Sequence, residues 1–310
     1  MNTYRHILIE PTIILECWDF LLIAVVVATL FSLISAKFAN KVNGKTVGYI
    51  TGAILLVLGL SMIVINNLEK INMEYLLEFL KVLSIYIGYI VAIAAILLVV
   101  RFTTKVPDYI FRKLLHIVAF TSILPLAYST SIWWIAVAVE ILFLIIVIAA
   151  LLFLEKFSFY RKLFVEKAKH EVIISFIALF SLMALMLAVF WGGLGAEHKY
   201  VAIAAIMAWG PGDAVAAIVG KNLGKHKLQG KMIEGIKSVE GSVGMAITSF
   251  FCVLPILLVM SHHPWYISLT FAVVIAPIAS LTELFTKKGW DTVTVPIVSA
   301  LVLCLSLIWG

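Results

Sequence analysis

The sequence predicts an all-α fold: a polytopic integral membrane helical bundle of about ten transmembrane helices, both termini extracytoplasmic. Three observations predict it. Of 310 residues, 63% are hydrophobic and only 13% charged, against roughly 45–50% apolar and 25% charged in soluble domains. Apolar runs long enough to cross a hydrocarbon core of about 30 Å recur along the whole chain. The connections between them divide sharply by charge.

Ten spans fit: 15–36, 47–65, 77–100, 113–129, 132–154, 172–191, 200–220, 242–260, 265–283 and 293–309. The first follows Glu10 rather than a basic stretch, and Glu16 and Asp19 lie within it, so the start of the chain does not read as a cleaved signal. After the first span come Lys37, Lys41 and Lys45, and after the third Arg101, Lys105, Arg112 and Lys113. Lys156, Arg161, Lys162, Lys167 and Lys169 follow the fifth, and Lys221, Lys225, Lys227, Lys231 and Lys237 the seventh. Lys287 and Lys288 follow the ninth, so these connections hold nineteen of the 23 Lys and Arg. Arg5, Lys70, Lys81 and Lys199 remain for the other side. The positive-inside rule places the first group in the cytoplasm. Trp133, Trp134, Trp191, Trp265 and Tyr266 fall at expected outer boundaries, where amphipathic rings anchor. No linker, low-complexity tract or internal repeat divides the chain, and Cys17, Cys252 and Cys304 show no metal or pairing spacing.

Function is to be sought in polar residues that a bilayer should not tolerate. Asp213 is expected about 12 Å inside the cytoplasmic edge, eight residues before Lys221. Gly210-Pro211-Gly212 before it predicts a broken helix with a restart at Asp213. The loop that follows has Gly220, Gly224, Gly230 and Gly235 among its lysines, and ends in Lys237, Ser238, Glu240, Gly241 and Ser242. Carboxylate, lysine, hydroxyl and glycine in one place suit Mg²⁺-bound phosphates. "FRKLLHI" puts Arg112, Lys113 and His116 on the same side, with Arg112 and His116 on one helix face. "TELFTKKGWDTVTVP" places Glu283 and Asp291 around a tight loop there. Glu140 lies near mid-membrane, either in a polar pair within the bundle or against a substrate head group. Zinc-hydrolase, serine-nucleophile and soluble phosphate-loop motifs are absent.

"GDAVAAIVGKNLGKHKLQGK" followed by "KSVEGSVGM" resembles the GDxxAxxxGxxxGK…KSxEGS signature of the polyprenol kinase family. That family includes CTP-dependent dolichol kinases, phytol and farnesol kinases, and CTP-dependent diacylglycerol kinases. It is distantly similar to the phosphatidate cytidylyltransferases. "RKLLH" resembles the family's opening RKxxH, and "WDTVTVP" its closing DNxTxP, with Thr292 where the family usually has Asn. The resemblance covers residues 105–300 and implies a seven-helix catalytic membrane domain over 101–310, preceded by a three-helix extension over 1–100. It implies phosphoryl transfer from CTP, with Mg²⁺, to a lipid alcohol at the cytoplasmic face of a membrane, here expected to be a prokaryotic plasma membrane. Carried over by position, Asp213 would hold the metal with Asp291 as a second acid near it, and Glu283, across the tight loop from Asp291, is the further candidate ligand. Lys237 and His116 would join Asp213 in catalysis; the general base stays open between Asp213 and His116, which are candidates by geometry alone. Arg112, Lys113, Lys221, Ser238, Glu240 and Ser242 would bind the nucleotide phosphates, with Gly212, Gly220, Gly224 and Gly241 allowing close backbone approach.

Two other readings share these residues. A cytidylyltransferase would use the same phosphate pocket but release pyrophosphate. A transporter would use Asp213 and Glu140 as coupling groups in a broken helix. The partners expected are a membrane lipid alcohol and a nucleoside triphosphate, with no nucleic acid.

Overall fold

Eight helices among the described residues are long and apolar enough to cross a membrane. The structure, a computed structural model, describes residues 73–104, 106–157, 160, 171–230, 233, 237–286 and 290–309. The spans expected at 15–36 and 47–65, and with them the total of ten and the N-terminal extension, lie outside the described residues. The helices are α1 (Met73–Thr103), α2 (Asp108–Thr121), α3 (Ile123–Ser129), α4 (Trp133–Leu154), α5 (Glu171–Leu187), α6 (Lys199–Asn222), α7 (Val239–Met260), α8 (Trp265–Phe285) and α9 (Asp291–Cys304). There is no strand among the described residues, only isolated bridges between Lys227 and Ser238 and between Gly230 and Ile233.

One expected span is two helices in series. Pro125 lacks the N–H that the Thr121 carbonyl would otherwise receive, and the chain re-sets at Ser122 between α2 and α3. The Ser122 hydroxyl donates to the Ala119 carbonyl (2.7 Å) and lies 2.9 Å from the Tyr86 hydroxyl of α1. Further along, α5 widens into a π-helical turn, Ala188–Gly193, before α6 begins. Trp134 and Trp191 are buried in the bundle, whereas Trp265 and Tyr266 are exposed. The first pair therefore packs rather than anchors, and Trp191 carries the Lys199 ammonium 4.7 Å above its ring.

The expected break at Gly210-Pro211-Gly212 is absent: α6 is one helix from Lys199 to Asn222 with Pro211 inside it. Proline withholds only one donor, the one the Met207 carbonyl would receive, and the helix continues past it; alongside, the Ser249 hydroxyl of α7 donates to the Ala208 carbonyl at 2.5 Å. The two glycines admit neighbours instead of unwinding the backbone. A Cβ on Gly210 would collide with the Phe120 ring, and one on Gly212 would lie 2.7 Å from the Ser249 hydroxyl. Internal prolines recur in the next three helices as Pro255, Pro277 and Pro296.

α6 is the axis of the bundle. It touches α2, α5, α7, α8 and α9, and 78% of the residues in its apolar stretch are buried. Its most extensive partner is α7. Gly212, Ala216, Gly220 and Gly224 recur at intervals of four, so they form one small-residue stripe. Gly241 of α7 meets that stripe so closely that an added Cβ would lie 2.9 Å from the Ala216 carbonyl oxygen and 3.3 Å from Gly220 Cα.

Candidate functional site

The site is built where α6 and α8 end and α2, α7 and α9 begin. α2 is held there from its first turn. Arg101 at the end of α1 donates to the Val106 carbonyl (2.8 Å) and pairs with Asp108 (2.5 Å). That fixes the start of the helix on which Arg112, Lys113 and His116 are spaced. Lys113 reaches α6, its ammonium 2.5 Å from Asp213 Oδ2, with side chains only 17% and 13% exposed. Charges so shielded from water interact more strongly than exposed ones. One arm of the RKxxH-like segment and the acid of the GD segment thus form an ion pair.

A cavity of about 220 Å³ opens beside this pair. Its rim carries Arg112, Lys113, His116, Asp213, Asp291 and Thr292, drawn from α2, α6 and the first turn of α9. Three motifs far apart in sequence therefore meet around one hollow. The remaining wall is largely apolar: Leu115, Ala119 and Phe120 from α2 face Val172, Phe176 and Leu179 from α5. Ser175 and Trp209 complete it.

A second ion pair borders the first. The Lys237 ammonium lies 3.0 Å from Glu283 Oε1 and donates to the carbonyls of Glu283 and Thr286 (2.9 Å to the latter), closing the C-terminal end of α8. Asp291 lies in the electrostatic field of Asp213, Lys113 and Lys237, and Glu283 in that of Asp213 and Asp291. Three carboxylates and two ammonium groups thus share one charge cluster.

The rest of the signature lies in the seam between α6 and α7 and in the loop between them. Ser238 caps α7, accepting from the Gly241 N–H (3.2 Å), and its side chain packs where a Cβ on Gly224 would fall, 2.6 Å from the hydroxyl. Glu240 holds the preceding loop, accepting from the His226 N–H (3.2 Å) with the His226 Nδ1 at 2.7 Å. The Ser242 carbonyl accepts from Ser280 (2.7 Å). The Lys221 ammonium stands 3.5 Å over the Tyr109 ring, whose hydroxyl donates to Asn222 (2.6 Å). None of Gly212, Gly220, Lys221, Gly224, Ser238, Glu240, Gly241 or Ser242 lines the described cavity. Glu140 is also apart from it: fully buried, it accepts from the Tyr86 hydroxyl at 3.2 Å. Between the two places open for Glu140, the structure chooses the polar pair.

Among the described residues, no three His, Cys, Asp or Glu side chains converge as a metal-binding group on their own. That donor set still suits Mg²⁺, which keeps several waters and is bound through one or two carboxylates plus substrate phosphates. Asp213 and Asp291 on one rim offer such a pair.

Two parts of the cavity were not foreseen. Val172, Ser175, Phe176 and Leu179 form one stripe of α5, but an apolar stripe in a membrane helix carries no signal of its own. Trp209 reads in sequence as one more apolar residue.

No protein-family model matches the chain, and no solved structure does. Over 98 residues, 31% of its length, the chain is 37% identical to the phytol kinase of Synechocystis sp., of which the match spans 40%. Among the described residues the chain is all-helical, with eight helices of membrane-spanning length and apolarity, and over part of its length it is similar to a phytol kinase.

Proposed function

We propose that this protein is a membrane-embedded lipid-alcohol kinase, transferring a phosphoryl group from CTP to a polyprenol, a phytol-like alcohol or diacylglycerol at the cytoplasmic face. The observation that carries this reading is the two-faced cavity, a rim of cations and carboxylates against an apolar wall. A lipid alcohol has the same two faces: a chain to bury and a hydroxyl to present to a phosphate. The partial similarity to a phytol kinase adds an independent line of support.

Arg112 and Lys113 supply positive charge for the nucleotide phosphates. Mg²⁺, when bound, neutralises phosphate charge, and Asp213 and Asp291 are the residues that would hold it. The wall from α2 and α5 buries the alcohol's chain and keeps water away from the reacting oxygen. That oxygen forms a new bond to phosphorus as the bond to the departing nucleoside diphosphate breaks. Its proton passes to Asp213 or His116, both of which line the cavity. Lys237 acts on the same charge cluster from beside Glu283.

Purified full-length protein in lipid nanodiscs, given phytol, a polyprenol or diacylglycerol with γ-labelled CTP or ATP and Mg²⁺, tests this. The expected products are a labelled phospho-alcohol and CDP. Pyrophosphate and a CDP-lipid from a lipid phosphate would establish the cytidylyltransferase instead. No nucleotide turnover with any acceptor would end both enzymatic readings. The transporter reading loses its main ground because α6 is unbroken at Asp213.

A further inference from the structure

Trp209 is 3% exposed, and its indole nitrogen is fully buried without a hydrogen-bond partner among the described residues. Leaving a buried donor unmatched is costly, and such groups call for an explanation. Here the residue lines the cavity. Its ring is held edge-on by Phe120, centroids 4.3 Å apart at 74°, and Phe120 in turn presses where a Cβ of Gly210 would stand. The indole is therefore held by packing while its polar atom is left unused.

We propose that Trp209 Nε1 is the donor that holds the hydroxyl oxygen of the acceptor alcohol. This rests on the lipid-kinase reading and adds to it the residue that recognises the acceptor. An indole N–H donates only, so its partner must be an acceptor such as oxygen. Trp209 precedes Asp213 by four residues on the same helix, hence the same face and about 6 Å along the axis. Lys113 is paired with Asp213, whereas Trp209 packs against the Phe120 ring in a lining that also includes Ala119 and Leu179. A neutral hydroxyl costs less to bury in that setting than a phosphate does. An alcohol accepting from Nε1 keeps its own proton free to point toward the rim, with its chain along α5.

The test uses full-length protein in nanodiscs with phytol and CTP, comparing wild type, Trp209→Phe and a chain with benzothienylalanine at position 209. The last keeps the shape of the indole and replaces N–H by sulfur, so a fault in packing at Phe does not obscure the result. Loss of one hydrogen bond should raise KM for phytol about five- to tenfold in both variants. KM for CTP should stay within about twofold, and phytol-independent CTP hydrolysis should not fall. An unchanged phytol KM in the benzothienylalanine chain overturns the assignment, as does a parallel rise in KM for CTP. If wild-type protein phosphorylates no alcohol, the kinase reading itself fails. An active wild type with unmoved phytol KM defeats only the role of Trp209.

Discussion

Asp213 and Glu140 are both carboxylates inside apolar helices, yet their surroundings differ in every respect that bears on chemistry. Asp213 has an ammonium at 2.5 Å, a second carboxylate on the same rim and a hollow beside it. Glu140 is fully buried, has a tyrosine hydroxyl at 3.2 Å, no cationic partner among the described residues, and one oxygen with no hydrogen bond there. A polar residue in a membrane helix is often taken as functional by default. On the proposed reading, depth alone is a poor guide to function, and a paired charge facing open space is a better one.

The comparison can be broken by mutation, and the largest effect should come from Asp213. Asp213→Asn keeps size while removing charge, and should lower labelled phospho-alcohol formation by about 100-fold or more. Near-normal turnover would remove the basis for the kinase reading. Next is Lys237→Met, which removes the ammonium from the charge cluster and the end of α8. Turnover should fall about tenfold or more, with some loss of thermal stability as Glu283 is left without its partner. Glu140→Gln retains shape and hydrogen-bonding capacity, so turnover should stay within about twofold, with a change in melting temperature as the main readout. A large loss of turnover at unchanged stability would place Glu140 in the mechanism and erase the contrast. Lys225→Ala, on the exposed loop after α6, should alter turnover by less than about twofold.

Much of the bundle was legible in sequence because apolar runs report directly on helices. The runs expected at 200–220 and 265–283 became helices at Lys199–Asn222 and Trp265–Phe285. Punctuation by proline was harder to read. Pro125 divides a span, yet Pro211 leaves one intact inside a helix packed tightly on both sides, by Phe120 at Gly210 and by Ser249 and Met245 at Gly212. The glycines of the signature were expected to face a ligand, and four of them lie in the α6–α7 seam. Sequence records that close approach is needed, but not what approaches. The meeting of Arg112, Asp213 and Asp291 was signalled by motif order. The wall from α5 and the spare donor of Trp209 arise only when distant helices are packed together.

Pro296 bears on Thr292, the position where the chain departs from the DNxTxP pattern. The ring at 296 supplies no N–H, so the main-chain oxygen at 292 is deprived of the donor four residues ahead. That oxygen belongs to the backbone and is the same whichever amino acid stands there. An exchange of asparagine for threonine alters the side-chain chemistry at this corner while preserving its main-chain acceptor, and tolerance at 292 should accordingly depend on retaining proline at 296.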